Sequence, residues 1–210
     1  MADGTDVRII KDMTANPGPF GLMAFGMTTV LLNIHNAGGF ELNSMILAMG
    51  IFYGGLAQVF ASWMEWKKGN TFATVAFGSF GLFWLLLVGL ILIPNFSFLG
   101  DFGKAIAPST KAMGWFFFFW GLFTLLMFVG TLRINRSLQA VFGTLVILFW
   151  LLAIRDWAGG GAAGAGGYAW GRMAGWEGIV CGLSAMYASI AQIWNELYGR
   201  VVLPIGPVKK

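Results

Sequence analysis

The sequence predicts an all-α membrane protein, a bundle of six transmembrane helices. Three observations carry that prediction. Hydrophobic residues make up 58% of the 210-residue chain and charged residues only 10%, too little charge to cover the surface of a soluble domain of this size. Mean hydropathy is +0.75. The apolar residues gather into six stretches, each about the 20 residues a helix needs to cross roughly 30 Å of hydrocarbon. Hydrocarbon offers the backbone no partners, so a spanning segment is a helix or a strand of a closed barrel. These stretches have twice the length of a barrel strand and are apolar all round, which leaves the helix.

Charges and helix breakers bound the six spans at residues 19–34, 42–63, 71–93, 112–132, 138–154 and 173–197. The first opens on Asn16-Pro17-Gly18-Pro19, where Asn16 reads as an N-cap and the prolines fall in a turn whose amides are unpaired anyway. Those free amides also make the helix start a resting place for an anion. In the second span Gly50 and Gly54, and in the sixth Gly171, Gly175, Gly178, Gly182, Ala185 and Ser189, recur at spacings of three and four. Such a stripe lets another helix approach closely. The fourth span carries no charge and holds Phe116 to Trp120, five consecutive aromatics that point all around a helix; several must meet lipid or a neighbouring subunit. Trp63, Trp66, Trp115, Trp157 and Trp176 fall near span ends, as interfacial belts do. Residues 159–167, Gly-Gly-Gly-Ala-Ala-Gly-Ala-Gly-Gly, read as a flexible loop before the sixth span.

With six spans both termini lie on one side. That side holds Arg8, Lys11, Lys67, Lys68, Arg133, Arg136, Arg200, Lys209 and Lys210, against Lys104, Lys111, Arg155 and Arg172 on the other. The excess of cations predicts both termini in the cytoplasm, and it explains the +4 net charge without nucleic acid as a partner. Residues 1–15 read as a polar tail with no apolar core of a cleavable signal, residues 16–198 as the membrane domain and residues 199–210 as a second tail.

Polar residues within the spans are few: Thr28, Thr29, Asn33, Gln58, Ser79, Thr124, Thr144, Ser184, Ser189 and Gln192. They are expected to face the bundle interior, most of them in hydrogen bonds between helices. His35 reads as a satisfied interface residue, and Glu177 as a solvated or salt-bridged helix end with Arg172 as the candidate partner, ahead of a proton-sensitive gate. One histidine, one cysteine (Cys181) and no carboxylate pair leave no metal site, no cofactor and no acid–base dyad. A pore or transporter therefore fits better than an enzyme.

The motifs narrow the reading further. Asn16-Pro17-Gly18-Pro19-Phe20-Gly21-Leu22 resembles the Asn-Pro-Ala-Pro-Leu-Gly-Leu signature of the acetate uptake transporter family. Gly54-Gly55-Leu56-Ala57-Gln58, Gly69-Asn70-Thr71-Phe72, Gly81-Leu82-Phe83-Trp84 and the terminal Gly199-Arg200-Val201-Val202-Leu203-Pro204-Ile205-Gly206 follow in the family's order. The resemblance implies a homohexamer in the inner membrane with a pore through each subunit, passing acetate and, in some bacterial members, succinate. It places an apolar constriction at Phe25, Phe80 and Leu145, where Phe80 stands for the family's usual Tyr and so lacks its hydroxyl. It associates Asn16, Pro17, Pro19, Gln58 and Asn70 with the pore and its entrance, and Ala185 with a small pore-side position that tunes substrate size. Anion channel and proton-coupled permease both remain open. A urea- or amide-type channel, also built from six helices in hexamers, is the competing reading.

Overall fold

The computed structural model describes residues 14–208, and these contain helices and no strand beyond one isolated bridge between Asn135 and Pro207. Helix α1 spans Gly18–Asn36. Helix α2 (Ser44–Ala48) runs through a π-helical segment, Met49–Ala57, into α3 (Gln58–Lys67), making one continuous rod. Helix α4 (Thr71–Leu92) ends in a tight turn, and the short α5 (Gly100–Ala105) follows. Then come α6 (Thr110–Thr131), α7 (Arg136–Trp157) and α8 (Tyr168–Leu197). Four of these rods, Ser44–Lys67, Thr71–Asn95, α6 and α7, are long and apolar enough by length and composition to cross a membrane.

Local chemistry starts the helices where the sequence demands. Asn43, Asn70, Ser109 and Asn135 each turn a side-chain oxygen onto a first-turn amide of the helix that follows, meeting donors that have no partner within the helix. Asn16 departs slightly from its expected role. Pro17 occupies the cap position, and Asn16 Oδ1 accepts from Gly18 N at 3.0 Å from one residue further out. Helix α8 begins at Tyr168, five residues before the expected start at Met173 and directly after the glycine-rich loop at residues 159–167.

Helices α1 and α8 lie against each other along the glycine stripe. A Cβ at Gly182 would meet Gly26 O and Val30 Cγ2 at 2.7 Å, one at Gly175 would meet the Ala37 backbone, and one at Gly178 the Asn33 side chain. Close backbone approach is what small residues permit, and Ser189 adds a hydrogen bond across the seam, donating to Pro19 O at 2.6 Å. Most other polar residues in the rods do not bridge helices, contrary to expectation. Thr28, Gln58, Thr124, Thr144, Ser184 and Gln192 donate to carbonyls three or four residues back on their own helix. That carbonyl is always within reach of a short polar side chain, whereas a partner helix must be placed for it.

Glu177 is the second correction. Both its carboxylate oxygens are buried and lack a hydrogen-bond partner among the described residues, so it is neither solvated nor paired with Arg172. The aromatic run divides as its geometry requires, with Phe117 buried and Phe119 61% exposed. The end of the chain folds back. Gly206 O and Ile205 O accept from the first-turn amides of Arg136 and Ser137, and Asn195 holds Val202 and Leu203. The expected polar tail at residues 1–15 lies almost wholly outside the described residues.

Candidate functional site

Two cavities follow one another through the bundle. The first, at the end bearing Asn16 and the close of α8, encloses about 210 Å³ and is lined by residues of α1, α3, α4, α7 and α8. The second, at the opposite loop end, encloses about 220 Å³ between α1, α4, α6 and α7. Phe25 and Leu145 line both, and so form the wall between them. Phe80 lines only the terminal-end chamber, its ring centroid 6.0 Å from that of Phe25. Behind it stand Phe123, Phe142 and Phe149 at 5.7, 5.9 and 6.5 Å, packing that holds the ring against the neck.

The terminal-end chamber is rich in amides. Gln58 and Glu65, two helical turns apart on α3, present one face to it. Gln58 is almost fully buried and donates to Gly54 O at 2.6 Å, a carbonyl of the π segment. Glu65 is 3% exposed and accepts from Asn70 Nδ2 at 2.8 Å. Asn16 Nδ2 reaches Gln192 Oε1 across the mouth at 3.3 Å. Of the residues expected at the entrance, Asn16, Gln58 and Asn70 line this chamber. Pro17 and Pro19 are buried and line neither cavity; their carbonyls accept from Gly21 N and Ser189 Oγ. Ala185 is fully buried in the core and also lines neither.

The loop-end chamber carries basic groups. Asn33, His35, Asn36 and Arg155 reach it, with Thr29 deeper, one turn above Phe25. His35 Nδ1 donates to Phe40 O at 2.8 Å, because a carbonyl can only accept. Asn33 donates to Thr29 O and accepts from Asn36. Arg155 pairs with its neighbour Asp156, Nε to Oδ1 at 2.7 Å and Nη2 to Oδ2 at 2.9 Å. Glu65, Arg155 and Asp156 escaped the sequence reading because charges near span ends look like ordinary interfacial residues. Only the folded bundle turns them inward.

An apolar wall between two chambers, each mostly apolar with a few amides and charged groups, suits a small solute that is polar at one end and apolar at the other. The sequence profile of the GPR1/FUN34/yaaH family matches residues 5–209. The chain belongs to that family. It is 52% identical over 192 residues to the succinate-acetate/proton symporter SatP of Escherichia coli K12, covering 91% of this chain and 95% of the relative. It is 53% identical over 197 residues to a protein of Methanothermobacter thermautotrophicus, 93% of either chain. Among solved structures it superposes on the bacterial acetate channel SatP with a TM-score of 0.83 at 51% identity, covering 92% of this chain and 99% of that one. Family membership and this superposition agree with the all-α class.

Proposed function

We propose that this chain passes acetate, and other small carboxylates such as succinate, across a membrane through the two chambers, with Phe25, Phe80 and Leu145 as the neck. The observation that carries the reading is the shared wall: Phe25 and Leu145 border both cavities, so any solute moving between them passes these side chains. A bare carboxylate loses several kcal/mol or more in apolar surroundings, while neutral acetic acid loses far less. The acetate methyl fits a neck of two phenyl rings and a leucine. The carboxyl can exchange partners with amides on either side, binding tightly enough to enter and loosely enough to leave.

In this reading Asn16, Gln58 and Asn70 receive the carboxylate at the terminal end, while Pro17 and Pro19 shape the turn that sets Asn16. Ala185 acts through packing behind the path. All six long helices cross the inner membrane, termini in the cytoplasm, and six copies assemble with one pore each. The names carried by the two SatP relatives speak for carboxylates over urea.

The test is radiolabelled acetate uptake into proteoliposomes with potential and pH gradient imposed separately. Uptake driven by an inward proton gradient at zero potential is the symport outcome, and uptake that follows the potential is the channel outcome. No protein-dependent uptake under either condition overturns the reading.

A further inference from the structure

Arg155 has a geometry that a structural ion pair alone does not require. Its partner is the adjacent residue, Asp156, on the same helix, and Asp156 is only 4% exposed. The carboxylate takes Nε–H and one Nη2–H. A guanidinium has five N–H donors, so three remain, and Arg155 lines the loop-end chamber. The stem is packed in place, since a Cβ at Gly161 or Gly171 would lie 3.1 or 3.2 Å from Arg155 Cδ. The guanidinium carbon stands 5.5 Å from the Phe117 ring centre, a cation–π distance. Among the described lining residues the other ionisable group is His35, whose Nδ1 is engaged by Phe40 O. The chamber thus holds a fixed, part-neutralised cation and no acid on its wall.

The geometry assigns to Arg155 a carboxylate-binding station on the loop-end side of the neck, with Asp156 as the positioning residue that aims the guanidinium and weakens its grip. Asp156 occupies the side-on pair of donors, Nε–H and one Nη2–H, and leaves the end-on pair, Nη1–H and the other Nη2–H, for a second carboxylate. The Asp156 charge beside that pair weakens its hold on an anion, which leaves a site that loads and unloads. This assignment rests on the carboxylate-passage reading above.

The two members of the pair give the test opposite signs. Arg155→Gln should raise the acetate concentration for half-maximal uptake about tenfold, the loss of one charge-assisted contact, with the maximal rate little changed. Asp156→Asn should lower it about threefold, because the guanidinium keeps its charge and loses its competitor. Arg155→Gln/Asp156→Asn, which buries no lone charge, should resemble Arg155→Gln and guards against misfolding of the single variants. Titration of the purified protein with sodium acetate should move in the same directions without any flux.

If both single changes lower yield and maximal rate while half-saturation and binding stay put, the pair is structural and the station is overturned. Normal wild-type uptake with unmoved variants overturns this station and leaves the passage reading standing. A wild-type protein that neither binds nor passes acetate overturns both.

Discussion

The two chambers are nearly equal in volume, about 210 and 220 Å³, and share Phe25 and Leu145, yet their ionisable groups are opposite. The terminal-end chamber has an acid, Glu65, among amides; the loop-end chamber has Arg155 and His35. The wall they share is apolar, and the ionisable groups differ on either side of it. The two chambers are therefore built asymmetrically in their ionisable groups even though their volumes match.

The neck is the place to break this comparison with the largest effect. Phe25→Ala removes a ring that lines both chambers and should merge them. Flux of succinate and larger carboxylates relative to acetate should rise by about tenfold or more, since a lost ring is worth a few kcal/mol of steric selection. Parallel uptake of acetate, succinate and a bulkier acid measures it, and unchanged ratios would remove Phe25 from the constriction.

The charge difference can be reduced next. Glu65→Gln keeps an acceptor for Asn70 and deletes the acid from the anion path. Acetate flux at neutral pH should rise roughly threefold, matching the relief of somewhat under 1 kcal/mol of like-charge repulsion. Unchanged flux would remove Glu65 from the path and with it the charge contrast between the chambers.

Phe80→Tyr should have the smallest effect. Phe80 borders one chamber only, and its neighbours are aromatic. Adding a hydroxyl there should change acetate half-saturation by about twofold, the scale of one neutral hydrogen bond offset by its desolvation. Comparing half-saturation for the two proteins checks it, and a tenfold change would place the narrowest contact at Phe80 instead of at the Phe25–Leu145 wall.

Much of the architecture was legible beforehand. The expected spans at residues 71–93 and 112–132 fall within a residue or two of α4 and α6, because apolar runs bounded by Asn70 and Ser109 leave little choice of helix start. The glycine stripe of α8 meets α1 as its spacing requires. Asn16, Gln58 and Asn70 do line one chamber. The π segment was not legible, since Gly50, Gly54 and Gly55 read equally well as packing glycines on an α-helix. The polar residues were misjudged because their local carbonyl partners outcompete distant ones.

By itself the sequence determined the solvent, the helical class and the seams where helices touch, all of which follow from composition and from periodicity along one segment. The tertiary structure alone decided which side chains share a wall. The chambers are gaps between helices far apart in the chain, so their lining depends on how each rod is rotated. The wider winding over Met49–Ala57 changes the angular position of everything after it on that rod, Gln58 and Glu65 included. The same bundle brings Phe25 and Leu145, 120 residues apart in number, to one shared wall, and it turns Arg155, beside its own neighbour, into the chamber beyond.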